Sequence, residues 1–237
     1  MFYKRLFQEK AMSVSDAVKN NYSLLITKGN DDRLYFILYD SKIIKKVKFT
    51  NDEFDDTAFD IDSVDKSIIA MIKIEKKKGI PKIAYCIVES AARPNTGAGV
   101  LLYDIVLSFL SKSSKGLVPD RDSVSKSAQK VWKYYFNNRI DVEHIPIDDV
   151  NEDTYPITKD KSDDGVTNQN IKDYDYNKRG FLNHIYKIKK PINYSKLESN
   201  NDNFFTKHKK KNINIKFIKS ILVTSANSLF NKMYNFS

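Results

Sequence analysis

A short segment, Arg93-Pro94-Asn95-Thr96-Gly97-Ala98-Gly99, has the composition of an anion-binding turn. It follows an apolar run typical of a strand and precedes a run with helical spacing. Such a turn presents unpaired backbone N–H groups and the positive end of a helix. Gly97 and Gly99 carry no side chain, so a phosphate group could approach the backbone closely. Turns of this kind also serve as plain connectors, and the segment predicts a phosphate site only if its neighbours fit.

Other side chains suited to catalysis or metal binding are few. His144 and His184 stand apart in the sequence, away from cysteines or paired carboxylates at metal-ligand spacing, so no metal site is predicted. Cys86 is the single cysteine, which excludes an internal disulfide. It lies in the apolar run 83–88, where a thiol acts as a small hydrophobic group. A cytoplasmic location is expected on this basis.

The composition is that of a basic globular protein. Of 237 residues, 41% are hydrophobic and 12% aromatic, which favours a folded chain over a disordered one. Forty Lys and Arg against thirty Asp and Glu give a net charge of +10, which favours nucleic acid, an anionic membrane or a phosphorylated cofactor as a partner. The codon bias of an AT-rich genome would produce the same lysine content. The sequence has no apolar run of about 18 residues and no apolar core near its start, so we expect a soluble, unsecreted protein without a membrane span.

The elements that would position the turn begin with strands. Runs of β-branched and aromatic residues, separated by turn residues, predict strands at 22–27, 33–39, 42–49, 66–77 and 81–91. We expect the first three to form an antiparallel meander and the last two to form a hairpin around Gly79. The acidic stretch 51–65 is interpreted as a solvated loop or a short helix.

After Ala92 the apolar spacing changes from strand-like to helical. Residues 97–111 are predicted as a helix and 115–119 as a short strand. An amphipathic helix capped by Asp122 or Ser123 is predicted to run to about Asn138. The predicted fold class is therefore α+β, with a mixed, mostly antiparallel twisted sheet flanked by helices.

Three regions are expected along the chain. Residues 1–146 form the core, and residues 147–200 form an acidic, Asn-rich excursion whose segment 181–189 rejoins the sheet as a strand or helical turn. Residues 201–237 form a basic linker and an amphipathic C-terminal helical extension. The apolar stripe of that helix either packs back on the domain or contacts another protein, and the sequence leaves both open.

Several segments together resemble a known superfamily. They are Gly97-Ala98-Gly99-Val100-Leu101-Leu102-Tyr103-Asp104, Asp120-Arg121-Asp122-Ser123-Val124-Ser125 and Ala128-Gln129-Lys130-Val131-Trp132-Lys133-Tyr134-Tyr135, followed later by Leu182–Pro191. In order and spacing they are similar to GNAT (Gcn5-related N-acetyltransferase-like) domains, and most similar to a GNAT-like group associated with tailed bacteriophages. The resemblance covers about residues 24–136.

The resemblance implies a cofactor, acetyl-CoA or another acyl-CoA. Its pyrophosphate would bind at the turn, and its pantetheine arm would lie between the strand at 83–90 and the strand near Leu117. The implied activity is transfer of an acetyl group to an amine by direct attack, with the acceptor left open. The implied cofactor-binding residues are Val88, Arg93, Thr96, Gly97, Ala98, Gly99 and Val100.

Two positions depart from the usual pattern of the superfamily. Pro94 stands where the Gln or Arg of Q/R-x-x-G-x-G/A is usual, with Arg93 one position early. Trp132 stands where a tyrosine usually protonates the leaving thiolate, and an indole N–H cannot act as that acid. Tyr134 or Tyr135 is the substitute candidate, since a phenol with a pKa of about 10 suits a thiolate. Packing of both tyrosines, without a chemical role, is the alternative.

Glu89 is the candidate general base. It lies at the end of the strand that leads into the turn, where a carboxylate could take a proton from an amine directly or through water. A surface carboxylate without a chemical role is the alternative.

Three functions remain open at this point. The first is an acyltransferase, and the second is a noncatalytic phage virion or host-interaction protein that docks through residues 213–237. Pro94 and Trp132 favour the second function, and the glycines of the turn favour the first. The third and least favoured is nucleic-acid binding, through the lysines Lys45, Lys46, Lys48 and Lys207–Lys211. A phage-encoded protein would act in the host cytoplasm or be associated with the virion.

Overall fold

The computed structural model describes residues 11–29, 31–45, 61–76, 83–120, 123–147, 180–199, 206 and 215–234. The strands are β1 (Tyr22–Lys28), β2 (Leu34–Asp40), β3 (Ile68–Glu75), β4 (Ala84–Ala92), β5 (Gly116–Val118), β6 (Val142–Pro146) and β7 (His184–Ile188). The helices are α1 (Val14–Lys19), α2 (Ser41–Ile44), α3 (Ile61–Ser67), α4 (Ala98–Ser111), α5 (Lys126–Asn138) and α6 (Ile215–Tyr234). A 3₁₀ turn at Gly180–Leu182 and a helical turn at 195–199 complete the described elements.

The strands form one mixed sheet in the order β1-β2-β3-β4-β5-β7-β6. Strands β1 and β2, β5 and β7, and β6 and β7 pair antiparallel, whereas β4 and β5 pair parallel. A parallel pair needs a crossover connection, and helix α4 supplies it between β4 and β5. The predicted α+β class with a mostly antiparallel sheet flanked by helices is therefore confirmed, while the GNAT-like assignment stays a prediction.

Most of the predicted elements are present with small shifts of their ends, but two details are wrong. Residues 42–44, predicted as part of a strand, belong to helix α2 because the Asp40 carboxylate caps that helix by accepting from the N–H groups of Lys42 and Ile43. The cap of α5 is Ser125, whose Oγ accepts from the Ala128 N–H, and not Ser123. Residues 46–49, the Gly79 turn, Asp122 and most of the acidic excursion lie outside the described residues.

The chain divides into two compact units. The three regions predicted from the sequence, with boundaries at residues 146 and 200, stay a prediction. The described residues of the first unit lie within Ile74–Val88 and Asp104–Ile192. A buried cluster of Ala84, Cys86, Val118, Ile147 and Ile185 forms part of its core. The rings of Trp132, Tyr135 and Tyr186 are also buried and contact one another.

The second unit comprises Glu9–Lys73, Glu89–Tyr103 and Asn193–Ser237. Its core joins one face of β1 and β2 to helix α6, which contributes the buried residues Ile218, Ile221, Leu222 and Ala226. These residues stand at positions i, i+3, i+4 and i+8, which places them on one side of the helix. The apolar stripe of the C-terminal helix therefore packs back on its own unit. None of the helices in the described ranges has the length and apolar content needed to cross a lipid bilayer.

Candidate functional site

The predicted turn lies between the end of β4 at Ala92 and the start of α4 at Ala98, as expected from the sequence. Its backbone reverses through two residues in the left-handed region, Asn95 with φ of 60° and Gly97 with φ of 69°. Asparagine and glycine are the residues that adopt this conformation at least cost. Thr96 stiffens the turn, since its hydroxyl donates to the Arg93 carbonyl and accepts from the Ala98 N–H.

Gly99 is explained by close packing within the second unit. A Cβ atom at this position would lie 3.2 Å from the Cβ of Ala92, tighter than ordinary van der Waals contact. The missing side chain lets the first turn of α4 approach the end of β4 closely. The two glycines of the motif thus have separate causes, a left-handed backbone at Gly97 and a close approach at Gly99.

The first turn of α4 leaves backbone donors for a ligand. The Gly97 carbonyl accepts the first helical hydrogen bond, from Leu101, so the N–H groups of Ala98, Gly99 and Val100 have no intrahelical partner. The Thr96 hydroxyl accepts a hydrogen bond from the Ala98 N–H. Within the described ranges, no protein acceptor bonds the N–H of Gly99 or Val100. The first turn also contains no acidic side chain. Two amides without a described protein acceptor therefore lie at a positive helix end that has no acidic side chain in its first turn.

Arg93 has structural partners in place of a free guanidinium. Its Nε donates to the Ile68 carbonyl at 2.6 Å, and one terminal nitrogen donates to the Asp65 carbonyl at 2.9 Å. Asp65 lies in the last turn of helix α3, where a cation is favourable, and Ile68 is the first residue of β3. Arg93 thus ties the turn to α3, and its predicted role toward a cofactor is untested.

Glu89, the predicted base, lies in a charged cluster of the second unit. Its Oε1 accepts from the Lys73 ammonium at 3.0 Å, and the side chains are 22% and 8% exposed. The same ammonium lies 3.8 Å from the Asp31 carboxylate and 5.3 Å from the ring centroid of Tyr35. The Tyr35 hydroxyl donates to Asp31 at 3.1 Å. A substrate amine at Glu89 would therefore share the carboxylate with Lys73.

The charges in this cluster are mutually stabilised. Burial opposes the charged form of Lys73, but hydrogen bonds with Glu89 and Tyr35 and the Glu89 charge outweigh it and raise the Lys73 pKa. Burial likewise opposes the Asp31 carboxylate, but the Tyr35 hydroxyl, the Arg33 N–H and the nearby cations lower the Asp31 pKa. Both groups remain charged at neutral pH.

Tyr135, one of the two predicted acids, donates its hydroxyl to a carboxylate of the first unit. The acceptor is Asp104 Oδ1, at 2.7 Å, and Tyr135 is fully buried. Arg139 bonds both oxygens of Asp104 through one nitrogen, at 3.0 and 3.2 Å, and contacts both oxygens of Asp141 at 2.7 and 2.8 Å. Its guanidinium also lies 5.3 Å from the Tyr135 ring centroid. These contacts give Tyr135 a structural role.

The pKa shifts in this network agree with its geometry. Burial raises the Asp104 pKa, against the opposing effect of the Arg139 charge and the Tyr135 hydroxyl. Burial opposes the charged form of Arg139, but its bonds to Asp141 and the Asp104 charge raise the Arg139 pKa, so the guanidinium stays charged. Hydrogen bonds from Arg139 lower the Asp141 pKa, although burial opposes them.

Trp132 and Tyr134 differ in their surroundings. Trp132, at the position where the superfamily usually has its acid, is buried, with its ring centroid 4.8 Å from that of Tyr186. Tyr134 is half-buried, and its ring lies beside that of Tyr135, 6.2 Å between centroids. Of the two tyrosines, only Tyr134 is partly exposed, and its role as an acid stays a prediction.

Strands β4 and β5 pair over a short length. The parallel register joins Ala84, Tyr85 and Cys86 to Gly116, Leu117 and Val118, and β5 ends there. Strand β4 continues to Ala92, and Val88 lies half-buried in that continuation. The predicted position of a pantetheine arm at these strands stays a prediction.

The two histidines, distant in sequence, meet on the paired strands β6 and β7. Their ring centroids are 5.3 Å apart, and the Phe136 ring contacts both. Burial lowers the His184 pKa, and its Nδ1 lies 2.8 Å from the Gly180 carbonyl. Within the described residues, no group of three metal-ligating side chains comes together.

Sequence reasoning missed Lys73, Asp104 and Arg139 as members of charged clusters. Lys73 lies between isoleucines in a mostly apolar strand, which is a signal that it has a buried partner. Asp104 is likewise an acid amid the apolar residues of α4. Only the fold identifies the partners.

Comparison of the chain with models of known protein families, with curated proteins and with solved structures finds no match.

Proposed function

We propose that this protein binds an acyl-CoA through a GNAT-like fold and transfers the acetyl group of acetyl-CoA to an amine. The proposal depends most on the start of helix α4. The N–H groups of Gly99 and Val100 have no protein acceptor in the described ranges, and the helix end carries no neutralising acid. A pyrophosphate supplies anionic oxygens that such a helix end binds favourably.

The position of this helix end in the chain supports the choice of ligand. The helix end follows β4, which pairs in parallel with β5, and helix α4 itself is the crossover that leads to β5. This is the order in which the sequence resembles GNAT domains. The resemblance, and not the turn alone, selects acyl-CoA over other phosphate compounds.

Glu89 is the proposed base for the acceptor amine. It lies on β4, four residues before Arg93, and keeps a partly exposed carboxylate. The Lys73 ammonium donates to that carboxylate and holds it in position. An acceptor amine would bind Glu89 on its exposed side. Cytoplasmic location and association with a virion stay predictions.

Titration calorimetry with acetyl-CoA tests the binding part of the proposal. The matched variants are Val100→Asp and Val100→Asn, which have similar size and differ in charge. An aspartate in the first helical turn favours the helix by about 0.3–1 kcal/mol and repels a pyrophosphate. We expect Val100→Asp to weaken binding by at least about tenfold relative to Val100→Asn, which corresponds to about 1.4 kcal/mol. Equal binding by the two folded variants would contradict the proposal.

A noncatalytic protein on the same scaffold is the second candidate. It is favoured by the hydrogen bond that engages the Tyr135 hydroxyl with Asp104, and by Trp132, whose indole cannot act as the acid, at the position where the superfamily usually has a tyrosine. Release of CoA thiol from acetyl-CoA in the presence of a panel of amines separates the two candidates. Binding of acetyl-CoA without thiol release above the uncatalysed rate would favour the noncatalytic protein.

A further inference from the structure

Helix α5 of the first unit presents a row of cations to solvent. Lys126, Lys130 and Lys133 are all exposed, at spacings of four and three residues, so they lie along one face of the helix. The opposite face carries the buried residues Val131, Trp132 and Tyr135. We call this set of three lysines the α5 lysine row.

The charge of the row is not neutralised by nearby acids in the described part of the chain. Helix α5 contains neither Asp nor Glu, and no described carboxylate lies within ion-pairing distance of the three ammonium groups. Arg139, which directly follows the helix, provides a contrast because it contacts two aspartates. Arg139 forms ion pairs within the unit, whereas the three lysines are exposed to solvent.

The geometry of the row fits a linear polyanion. Seven residues of α-helix rise about 10 Å, so the three lysines are separated along the helix axis by about 6 and 4.5 Å. One strand of a duplex carries a phosphate about every 3.4 Å along its axis, so about three phosphates lie along the same length. Three contacts are thus available without distortion of either molecule.

We propose that the α5 lysine row binds the phosphate backbone of a nucleic acid. An anionic membrane is less suitable because the apolar face of α5 is buried and its exposed face offers Ser127 and Asn137 beside the lysines. The exposed Ile140, just past the helix, is the one large apolar side chain near the row that is exposed in the described residues. The net charge of +10 assists the approach of any polyanion. Binding of this kind is independent of base sequence.

The salt dependence of binding to a fluorescent duplex of random sequence tests the proposal. The test variant replaces Lys126, Lys130 and Lys133 by glutamine. The control replaces Lys19, Lys42 and Lys66, three exposed lysines on α1, α2 and α3, and removes the same three charges. Thermal unfolding and circular dichroism verify that both variants are folded.

The expected result is a change of slope. Each phosphate neutralised contributes about −0.9 to the slope of log K against log salt, so loss of three contacts reduces the slope by about 2.7. The control variant should keep the slope of the unmodified protein. Replacing the three lysines of the row by arginine should also keep that slope. Equal slopes for the test and control variants, or no binding at about 50 mM salt, would overturn the proposal. A row-dependent affinity for anionic vesicles that exceeds the affinity for the duplex would also overturn it.

Discussion

Replacing Tyr135 by phenylalanine removes one hydroxyl and leaves the buried ring in place. The hydroxyl donates to the Asp104 carboxylate at 2.7 Å. A hydrogen bond to a charged group contributes about 1.5–3 kcal/mol to stability. Because Arg139 still donates to the same Asp104 oxygen at 3.0 Å, the carboxylate keeps one partner and we expect a cost of about 2 kcal/mol.

Urea unfolding of Tyr135→Phe, Asp104→Asn and the double variant measures this cost and its origin. If the two groups stabilise the fold through each other, the losses of the single variants are not additive, and the coupling free energy is about 1–2 kcal/mol. Acetyl-CoA binding by Tyr135→Phe should equal that of the unmodified protein. An unchanged free energy of unfolding, together with a large loss of acetyl transfer, would refute the structural role and identify Tyr135 as the acid.

Three further changes test the described contacts. Arg93→Ala should destabilise the protein by about 2 kcal/mol in urea unfolding, because the Asp65 carbonyl of α3 and the Ile68 carbonyl of β3 lose a charged donor, and Arg93→Lys should not restore both bonds. Gly116→Ala should cost about 1–3 kcal/mol in the same assay, because its Cβ would overlap the Ile185 side chain and lie 3.0 Å from the Tyr186 carbonyl oxygen. The Asp141 pKa is lowered in the fold, so its stabilisation is present above the unfolded pKa of about 3.9 and is lost as the pH falls through the folded pKa. Asp141→Asn should therefore be less stable than the unmodified protein at pH 7, and the difference should shrink in unfolding measurements as the pH falls below the unfolded pKa of about 3.9.

The turn and its helix were predictable from the sequence because they occupy one continuous segment. Apolar spacing predicted a helix at 97–111, and the structure has α4 from Ala98 to Ser111. The glycines predicted a special backbone, and Gly97 has a positive φ. Local sequence determines features of this kind.

Elements that depend on competition between local signals were harder to predict. Residues 42–44 have β-branched neighbours, but the Asp40 cap favours a helix there. Strand β6 was not predicted because it has only five residues, lacks strict alternation of polar and apolar residues and ends in a proline. Its pairing with β7 along all five residues defines it.

The partners of the charged residues could not be predicted because they are distant in sequence. Tyr135 and Arg139 are 31 and 35 residues from Asp104, and Lys73 is 16 residues from Glu89. A one-residue change of strand register would place Lys73 and Glu89 on opposite faces of the sheet. Only the fold shows that Glu89 and Tyr135, both predicted to act chemically, are held by charged neighbours.

The amide resonances of Gly99 and Val100 during a titration with acetyl-CoA test the central proposal most directly. These two N–H groups are the proposed donors to the pyrophosphate, and nuclear magnetic resonance observes each one separately. The proposal predicts that both amides shift downfield and saturate together, and that amides of the α5 lysine row do not follow them. Unchanged Gly99 and Val100 resonances at millimolar acetyl-CoA would contradict an acyl-CoA site at this turn.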